Sequence, residues 1–583
     1  MFKIPYGVSN FEKIRRDHLL YIDKTYFIKE VEKSYHLIHL RPRRFGKSLF
    51  LSMLDCYYDV NSAHKFDELF SGLYIHDHPT VNKNSYYMLR FNFSGVQNTA
   101  KHSLEDGFLA RVQDGVERFI NRYGFNIKVL ESQSPASVLA ALFKDFEKLT
   151  LKNKIYILID EYDHFTNSIL SGDGQEFLKV LKRGGFVRSF YEIIKEKAEL
   201  GLIERLFITG VMSVTLDSMT SGFNIATNIT TESRFSDAMG FTTDEVKEVL
   251  KLRFTSGADN DQISFTADEQ IQTFDVFRQN YNGYLFSKDN DVKIFNSTLI
   301  MYYLNHYVNE KKIPESLIDV NLNQSGTTIE NIVGLKNREV NCKYIEEIVH
   351  TKEIEGTLQP FIDIDKKFDK NDVITLLFNI GLLTIKGFDM ITKFEVPNKM
   401  IENIYLGYLS ELVQQQSDYQ LDLSKQQQAI VEMGRRGEIN ALTALVSEFL
   451  MNTHPRNTIK FDEKYIKLTY MMLLVYSNQF VVHDEFQALN GFIDLLIQKS
   501  PNSTARYELL IELKYIKKSE TTDARIEFEL AEGRRQINRY IEDDRLSNTP
   551  WLKKFIIVFS GFEVVRIEEV KVSIGETIHR LKT

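Results

Sequence analysis

Only two cysteines, Cys56 and Cys342, occur in the 583 residues. They are too few and too far apart for a disulfide framework or a thiolate metal cluster, so both read as reduced structural thiols. Long apolar runs are also missing. No stretch approaches the roughly 18 uninterrupted apolar residues of a spanning helix, and the opening Met1-Phe2-Lys3-Ile4-Pro5 lacks a basic segment leading into an apolar one. The expected location is cytoplasmic, with no membrane partner. Positive charge is not in excess either: the net charge of −8 argues against a uniformly basic nucleic-acid coat and leaves only local basic patches. With 10 prolines and no internal repeat or heptad pattern, collagen-like, coiled-coil and disordered classes are excluded. What remains is a chain with 43% hydrophobic residues, well beyond the roughly 250 to 300 residues at which a single core stops growing. Several domains are expected.

Residues Arg41-Pro42-Arg43-Arg44-Phe45-Gly46-Lys47-Ser48 separate the apolar stretches 35–40 and 49–54. Strand, loop, helix is the order of a phosphate-binding loop. Gly46 lets the backbone turn against a phosphate, Lys47 can reach the β and γ phosphates, and Ser48 offers a hydroxyl to Mg²⁺. Arg43, Arg44, Phe45 and Leu49 complete the expected nucleotide contacts. Arg41 stands where the consensus has glycine, and Pro42 removes an amide donor; a plain basic turn before a helix is the competing reading. Downstream, Lys154 to Asp163 is an apolar run ending in adjacent carboxylates. An α/β sheet places ligands at the C-terminal ends of such strands. There Asp160 would hold Mg²⁺ through water and Glu161 would polarise an attacking water. A third run, Arg205 to Val211, ends in Thr209, the candidate γ-phosphate sensor, with Ser213 as its alternative. An ordinary strand end explains either residue equally well. An arginine finger could come from Arg205, Arg234 or Arg253, with nothing to choose among them.

These segments, with Ile4-Pro5-Tyr6-Gly7, Tyr21-Ile22-Asp23-Lys24-Thr25, Ser221-Gly222-Phe223-Asn224-Ile225-Ala226 and Tyr281-Asn282-Gly283-Tyr284, resemble the bacterial AAA-ATPase-like proteins over about the first half of the chain. The resemblance implies a loop that begins Arg-Pro-Arg-Arg, which accounts for Arg41, and a PD-(D/E)XK nuclease-like domain to follow.

Near the C-terminus, 490–497 and 507–514 read as neighbouring apolar strands carrying Asp494 and Glu512-Leu513-Lys514. Residues two apart on a strand share a face, so Glu512 and Lys514 project together and Asp494 can meet them from the next strand. Two carboxylates suit Mg²⁺ or Mn²⁺, and a lysine can stabilise charge building on a phosphate. A solvated Glu/Lys pair on an exposed strand is the alternative. The resemblance implies further that Gln536 and Tyr540, four apart on a helix over 528–544, flank the site, and that Glu463, opening a helix to 476, is an extra acidic ligand. Lys514, Lys517, Lys518, Arg534, Arg535 and Arg539 form a local basic patch that could meet phosphates or simply be a solvated face. A final strand spans 553–561.

Between the two sites, Thr243 or Asp244 caps a first helix of a lid, and 369–383 is a helix leading into a hairpin turned at Gly387, as in a winged helix. The expected architecture is α/β and multidomain: an ATPase core over 1–240, a helical lid over 241–345, a winged-helix-like module over 346–410, a linker over 411–455 with two Gln triplets, and a nuclease-like domain over 456–583. The expected function is an enzyme that binds and hydrolyses ATP with Mg²⁺ and thereby controls a metal-dependent nuclease acting on nucleic acid, DNA more than RNA, with a homo-oligomer left open. The alternative is a nucleotide-switched scaffold or signalling protein whose C-terminal domain binds nucleic acid without cutting it.

Overall fold

The computed structural model describes residues 1–96, 103–128, 134–164, 185–212, 225–255, 262–317, 325–334, 338–360, 369–453, 462–475 and 477–571. Ser213 and residues 221–224 lie outside them. The chain divides into two compact units: residues 1–312 with 317–402, and 313–316 with 403–583.

The first unit is built on five strands, β1 (His36–Leu40), β2 (Tyr86–Asn92), β3 (Lys154–Asp160), β4 (Ile203–Gly210) and β5 (Thr227–Asn228), in the order β2-β3-β4-β1-β5. Every pairing is parallel. Ile155 to Ile159 on β3 are at most 1% exposed, as expected of a strand covered on both faces. Strand β4, which carries the sensor candidate Thr209, lies between the loop strand β1 and the acid strand β3, in a register that sets Thr209 beside His39 and Ile208 beside Ile159. Loop, acid and sensor therefore converge at the C-terminal edge of one sheet.

Helices Leu104–Tyr123, Pro135–Lys148 and Phe186–Glu199 present apolar stripes to the core. The first starts in a Ser103/Asp106 capping box and ends at Gly124, whose φ of 66° a side chain would strain. Beyond the sheet, helix Thr243–Lys251 is capped by Thr242 in a box with Glu245, one residue earlier than expected. The reason is that Glu245 sits three positions after Thr242 and can close the reciprocal bond. A short hairpin, β6 (Phe254–Thr255) with β7 (Gln262–Ile263), follows, and then helices Ala267–Asn280, Ser297–Glu310, Ser325–Gly334 and Arg338–Thr351.

Strands β8 (Glu353–Gly356), β9 (Thr384–Asp389) and β10 (Ile391–Glu395) form an antiparallel sheet in the order β8-β10-β9. Helix Lys370–Asn379, capped by Asp369, precedes the β9–β10 hairpin. The hairpin turns at Met390 (φ 60°), not at Gly387. Gly387 pairs with Lys393 inside the ladder, which leaves the exposed Met390 to take the left-handed conformation of the turn.

In the second unit, helices Leu423–Arg436 and Asn440–Thr453 occupy most of the stretch read as a linker. Their glutamines are competent helix formers, and Leu442, Val446, Phe449 and Leu450 are buried. Next comes a mixed sheet of β11 (Phe480–Ala488), β12 (Gly491–Lys499), β13 (Glu508–Ile516), β14 (Leu552–Ser560) and β15 (Glu563–Glu569), in sequence order. Only β13 and β14 pair in parallel, because helix Asp523–Tyr540 makes the crossover between them. That helix buries Leu530 and Ile537 against Ile493, Leu496, Leu510 and Ile556. It approaches so closely that a Cβ on Gly533 would lie 2.8 Å from the Ile556 side chain.

Candidate functional site

Gly46 turns the phosphate loop with φ 92° and caps helix Lys47–Tyr58. Lys47 folds back over the loop: its Nζ donates to the carbonyls of Arg41 and Pro42, both at 2.9 Å. Burial lowers its pKa to about 8, although Asp160, Asp163 and Glu161 pull the other way.

Asp160 ends β3 fully buried, and neither carboxylate oxygen has a hydrogen-bond partner at ordinary distance. Burial raises its pKa, with Ser48, Lys47 and Arg90 opposing the rise. The nearest cation to its carboxylate is Arg90, 4.0 Å from Oδ2. Thr209, also fully buried, leaves its hydroxyl unpartnered. Burying such groups unsatisfied costs free energy, so this edge of the sheet is built around something polar. Glu161 turns out of the strand at φ 52° and pairs with His164 Nδ1 at 2.9 Å, which lowers its pKa. Ser48, Asp160 and Lys47 are thus brought together as expected, with Glu161 beside them.

Several loop residues do structural work. Arg41 is 1% exposed; its guanidinium donates to the carbonyls of Leu40, Thr230 and Phe235 at 2.7 to 2.9 Å and stacks 4.1 Å from the Phe286 centroid. The Phe45 ring is buried edge-on against Tyr284 and Phe286, at 4.9 and 5.4 Å, and the Arg44 carbonyl accepts from Thr298 N. Asp163, which the motif did not single out, accepts from the amides of Val211 and Met212 at 3.0 and 2.6 Å and so fixes the turn after β4. Its signal was its place three residues after Asp160. Arg205 sits near the start of β4, bonded to Tyr86 and the carbonyls of Ser34 and Glu32, at the opposite end of the strand from Thr209.

In the second unit, the Lys514 ammonium donates to Glu512 Oε1 at 2.7 Å, while Glu512 Oε2 is buried without a partner. Asp494 lies opposite, just past the rung Leu495–Ile511, and its Oδ2 accepts from Leu513 N at 2.9 Å. Its Oδ1 is 3.2 Å from Lys467, which also bonds Glu485 Oε1 at 2.6 Å. Burial, then Asp494, push the Glu512 carboxyl up to about 7; the same two causes raise Glu463 to about 7. Burial opposes the charge on Lys514, but Glu512 and Asp494 outweigh it and its pKa rises. Tyr540 is raised by burial and by Glu512 and Asp494, with Gln536 bonded to it, so the helix pair does face the carboxylates.

The open Glu512 oxygen and the raised Glu512 carboxyl beside Asp494 fit a divalent cation held between the two side chains. Among the described residues, however, no group of three His, Cys, Asp or Glu side chains is close enough to hold one, so Glu463 does not complete a set. Lys467 and Glu485 were missed in the sequence. Lys467 follows Glu463 by one helical turn, which was the available signal. The basic patch is largely neutralised: Lys517 pairs with Glu520, Lys518 with Glu563, Arg534 with Glu568 and Arg535 with Glu532.

No helix among the described residues is long and apolar enough to cross a membrane. Comparison with known proteins gives two family matches: a predicted AAA-ATPase over residues 5–220 and the PD-(D/E)XK nuclease superfamily over residues 461–569. A protein described as an uncharacterized protein in the vnfD 5' region of Azotobacter chroococcum mcd 1 is 26% identical over 425 residues, covering 70% of this chain and 71% of that one. Among solved structures, the Walker-type ATPase of Pyrococcus abyssi matches with a TM-score of 0.35 at 10% identity, over 66% of this chain and 94% of that chain. Domains of the two matched kinds generally use a nucleotide and a divalent metal. The chain therefore carries an AAA-ATPase-like domain over residues 5–220 and a PD-(D/E)XK nuclease superfamily domain over residues 461–569.

Proposed function

We propose that the chain binds and hydrolyses ATP in its first unit and uses the nucleotide state to control phosphodiester cleavage in its second. The observation that carries the first half is the pair of buried polar groups at one edge of the sheet, the Thr209 hydroxyl without a partner and Asp160 within reach of Ser48 and Lys47. Bound nucleotide would draw Lys47 from the Arg41 and Pro42 carbonyls to the phosphates. Ser48 and Asp160 would hold Mg²⁺, Thr209 would donate to the γ phosphate, and Glu161 would orient the attacking water, released from His164 as the site closes. In the second unit Asp494 and Glu512 would hold a divalent cation, which when bound supplies an acidified water and charge neutralisation. Lys514, held by Glu512, would stabilise the phosphate charge, and Gln536 would orient substrate. The substrate favoured here is DNA over RNA.

The alternative, binding without cutting, has its own support. Lys467 reaches Asp494 at 3.2 Å, where an ammonium competes with a metal for the same oxygen. Incubating the protein with labelled single-stranded and duplex DNA and RNA, with Mg²⁺ or Mn²⁺ and with or without ATP, decides between the two. Metal-dependent cleavage that responds to ATP and is lost in Lys47→Ala supports control by nucleotide. Tight binding with no cutting in any condition leaves the alternative.

A further inference from the structure

A concave site opens in the first unit beside the phosphate loop's acid strand: two of its lining residues adjoin Asp160, Asn92 in register and Arg90 at 4.0 Å. It is a cavity of about 410 Å³ between helix Lys47–Tyr58, the edge strand β2 and helix Leu104–Tyr123. That volume is within the range of small-molecule sites. No residue of the loop 41–49 lines it; Arg90, Asn92, Ser94, Arg111, Arg118 and Arg122 do, with Asp55 and Asp114.

The arginines are not equally compensated. Arg122 is held by Asp55 at 2.9 Å and Asp59 at 2.6 Å, and Arg118 by Asp114 at 2.7 Å. Among the described residues Arg111 has no ion-pair or hydrogen-bond partner, and Arg90 has one loose ion pair, the 4.0 Å approach to Asp160, with a longer-range attraction to Asp55. Both are partly shielded from water. Arg111 reaches over the turn after β2, where a Cβ on Gly95 would lie 3.1 Å from its Nη2, which sets its guanidinium near Ser94. The backbone is shaped to allow the cavity floor: a Cβ on Gly115 would lie 2.6 Å from the Phe91 ring and 3.0 Å from the Arg90 carbonyl, so helix and strand meet there only because that residue is glycine.

Two like charges facing one cavity repel each other, and a planar guanidinium matches an anionic oxygen pair through two parallel bonds. A single carboxylate would neutralise one of them; a phosphate dianion serves both, with Asn92 and Ser94 supplying neutral donors. We propose that this cavity binds a small phosphate-bearing ligand through Arg90 and Arg111, separately from the phosphate loop. A phosphorylated metabolite, a nucleotide and inorganic pyrophosphate share this chemistry.

The test is calorimetric binding of inorganic pyrophosphate to the full chain carrying Lys47→Ala, which weakens capture by the phosphate loop. Binding should persist on that background, and adding Arg111→Ala should weaken it at least about ten-fold, as expected for loss of a charge-assisted pair. Without anion, Arg111→Ala should melt no lower than its parent, since it removes a cation with no ion pair among the described residues; that shows the site was lost without the fold. Adenosine monophosphate binding more tightly than pyrophosphate marks a nucleotide as the source, and the reverse marks the inorganic ion. The proposal is overturned if Lys47→Ala alone abolishes binding, if Arg111→Ala leaves the affinity within two-fold, if citrate binds as well as pyrophosphate, or if only a single-stranded oligonucleotide binds.

Discussion

Thr209→Val should make the nucleotide-free protein more stable and the proposed ATP hydrolysis slower. Thr209 is fully buried at the end of β4 and its hydroxyl has no partner. Its neighbour in register, His39, is equally buried, with both ring nitrogens unpartnered and its pKa driven well down by burial. The imidazole is therefore neutral at physiological pH, and no compensating bond is lost with the hydroxyl. Leaving a buried hydroxyl unsatisfied costs about 1–3 kcal/mol. Valine keeps the β-branched shape that suits a strand, so most of that cost is recovered and a stabilisation of about 1–3 kcal/mol is expected. If the hydroxyl donates to the γ phosphate only as charge develops, its loss removes about 1.5–3 kcal/mol from the transition state, or roughly ten- to a hundred-fold in kcat. Urea unfolding without nucleotide and steady-state ATP hydrolysis measure the two effects, with Thr209→Ser as the variant that keeps the hydroxyl. A Thr209→Val protein less stable than its parent, or one with undiminished kcat, would refute the reasoning.

Arg41→Met should destabilise the first unit by about 3–5 kcal/mol, since it strips three buried carbonyls of their donor; circular-dichroism melting checks it, and an unchanged midpoint would remove Arg41 from the structural account. Because burial holds Lys47 at about 8, below its ordinary 10.5, the stability this group contributes is present above 10.5 and lost as pH falls through about 8. The pH–stability profile of Lys47→Met should lack that rise, and parallel profiles would contradict it. For Glu512 the sign reverses: its pKa is raised to about 7, so without metal its stability contribution is full below about 4.5 and is lost as pH rises through 7. Glu512→Gln should flatten that loss in a metal-free melt and abolish cleavage while ATP hydrolysis continues. Cleavage at the parental rate would exclude Glu512 from the chemistry.

The two sites were legible because each combines a buried apolar strand with polar residues at its end, a pattern that local chemistry alone produces. Strands β2 and β11 were not. Tyr86–Asn92 carries Arg90 in its middle, and Phe480–Ala488 carries His483, Asp484 and Glu485, so neither shows a clean apolar run. The role of Arg41 was hidden for another reason: its acceptors, Thr230 and Phe235, are 189 and 194 residues away in sequence. The hairpin at Met390 misled because glycine is the usual occupant of a left-handed turn and Gly387 was close by. Lys467 escaped notice because a lysine on a mostly apolar helix looks like a solvated end, whereas it is 6% exposed between two acids.

The phosphate loop is also fastened to the 240–298 stretch. Phe45 lies between Tyr284 and Phe286, its carbonyl accepts from Gly240 N, and the Arg44 carbonyl accepts from Thr298 N. Thermodynamic linkage makes such a fastening reciprocal. If the loop shifts when phosphate arrives, the 281–298 segment must follow or lose its packing. By the same factor, any event that displaces that segment alters the affinity for nucleotide. The Arg-Pro-Arg-Arg-Phe sequence is in this sense a clutch as well as a cradle, and slippage between the loop and the 281–298 segment, as in Phe45→Ala, would uncouple occupancy from motion while leaving Lys47 and Ser48 in place.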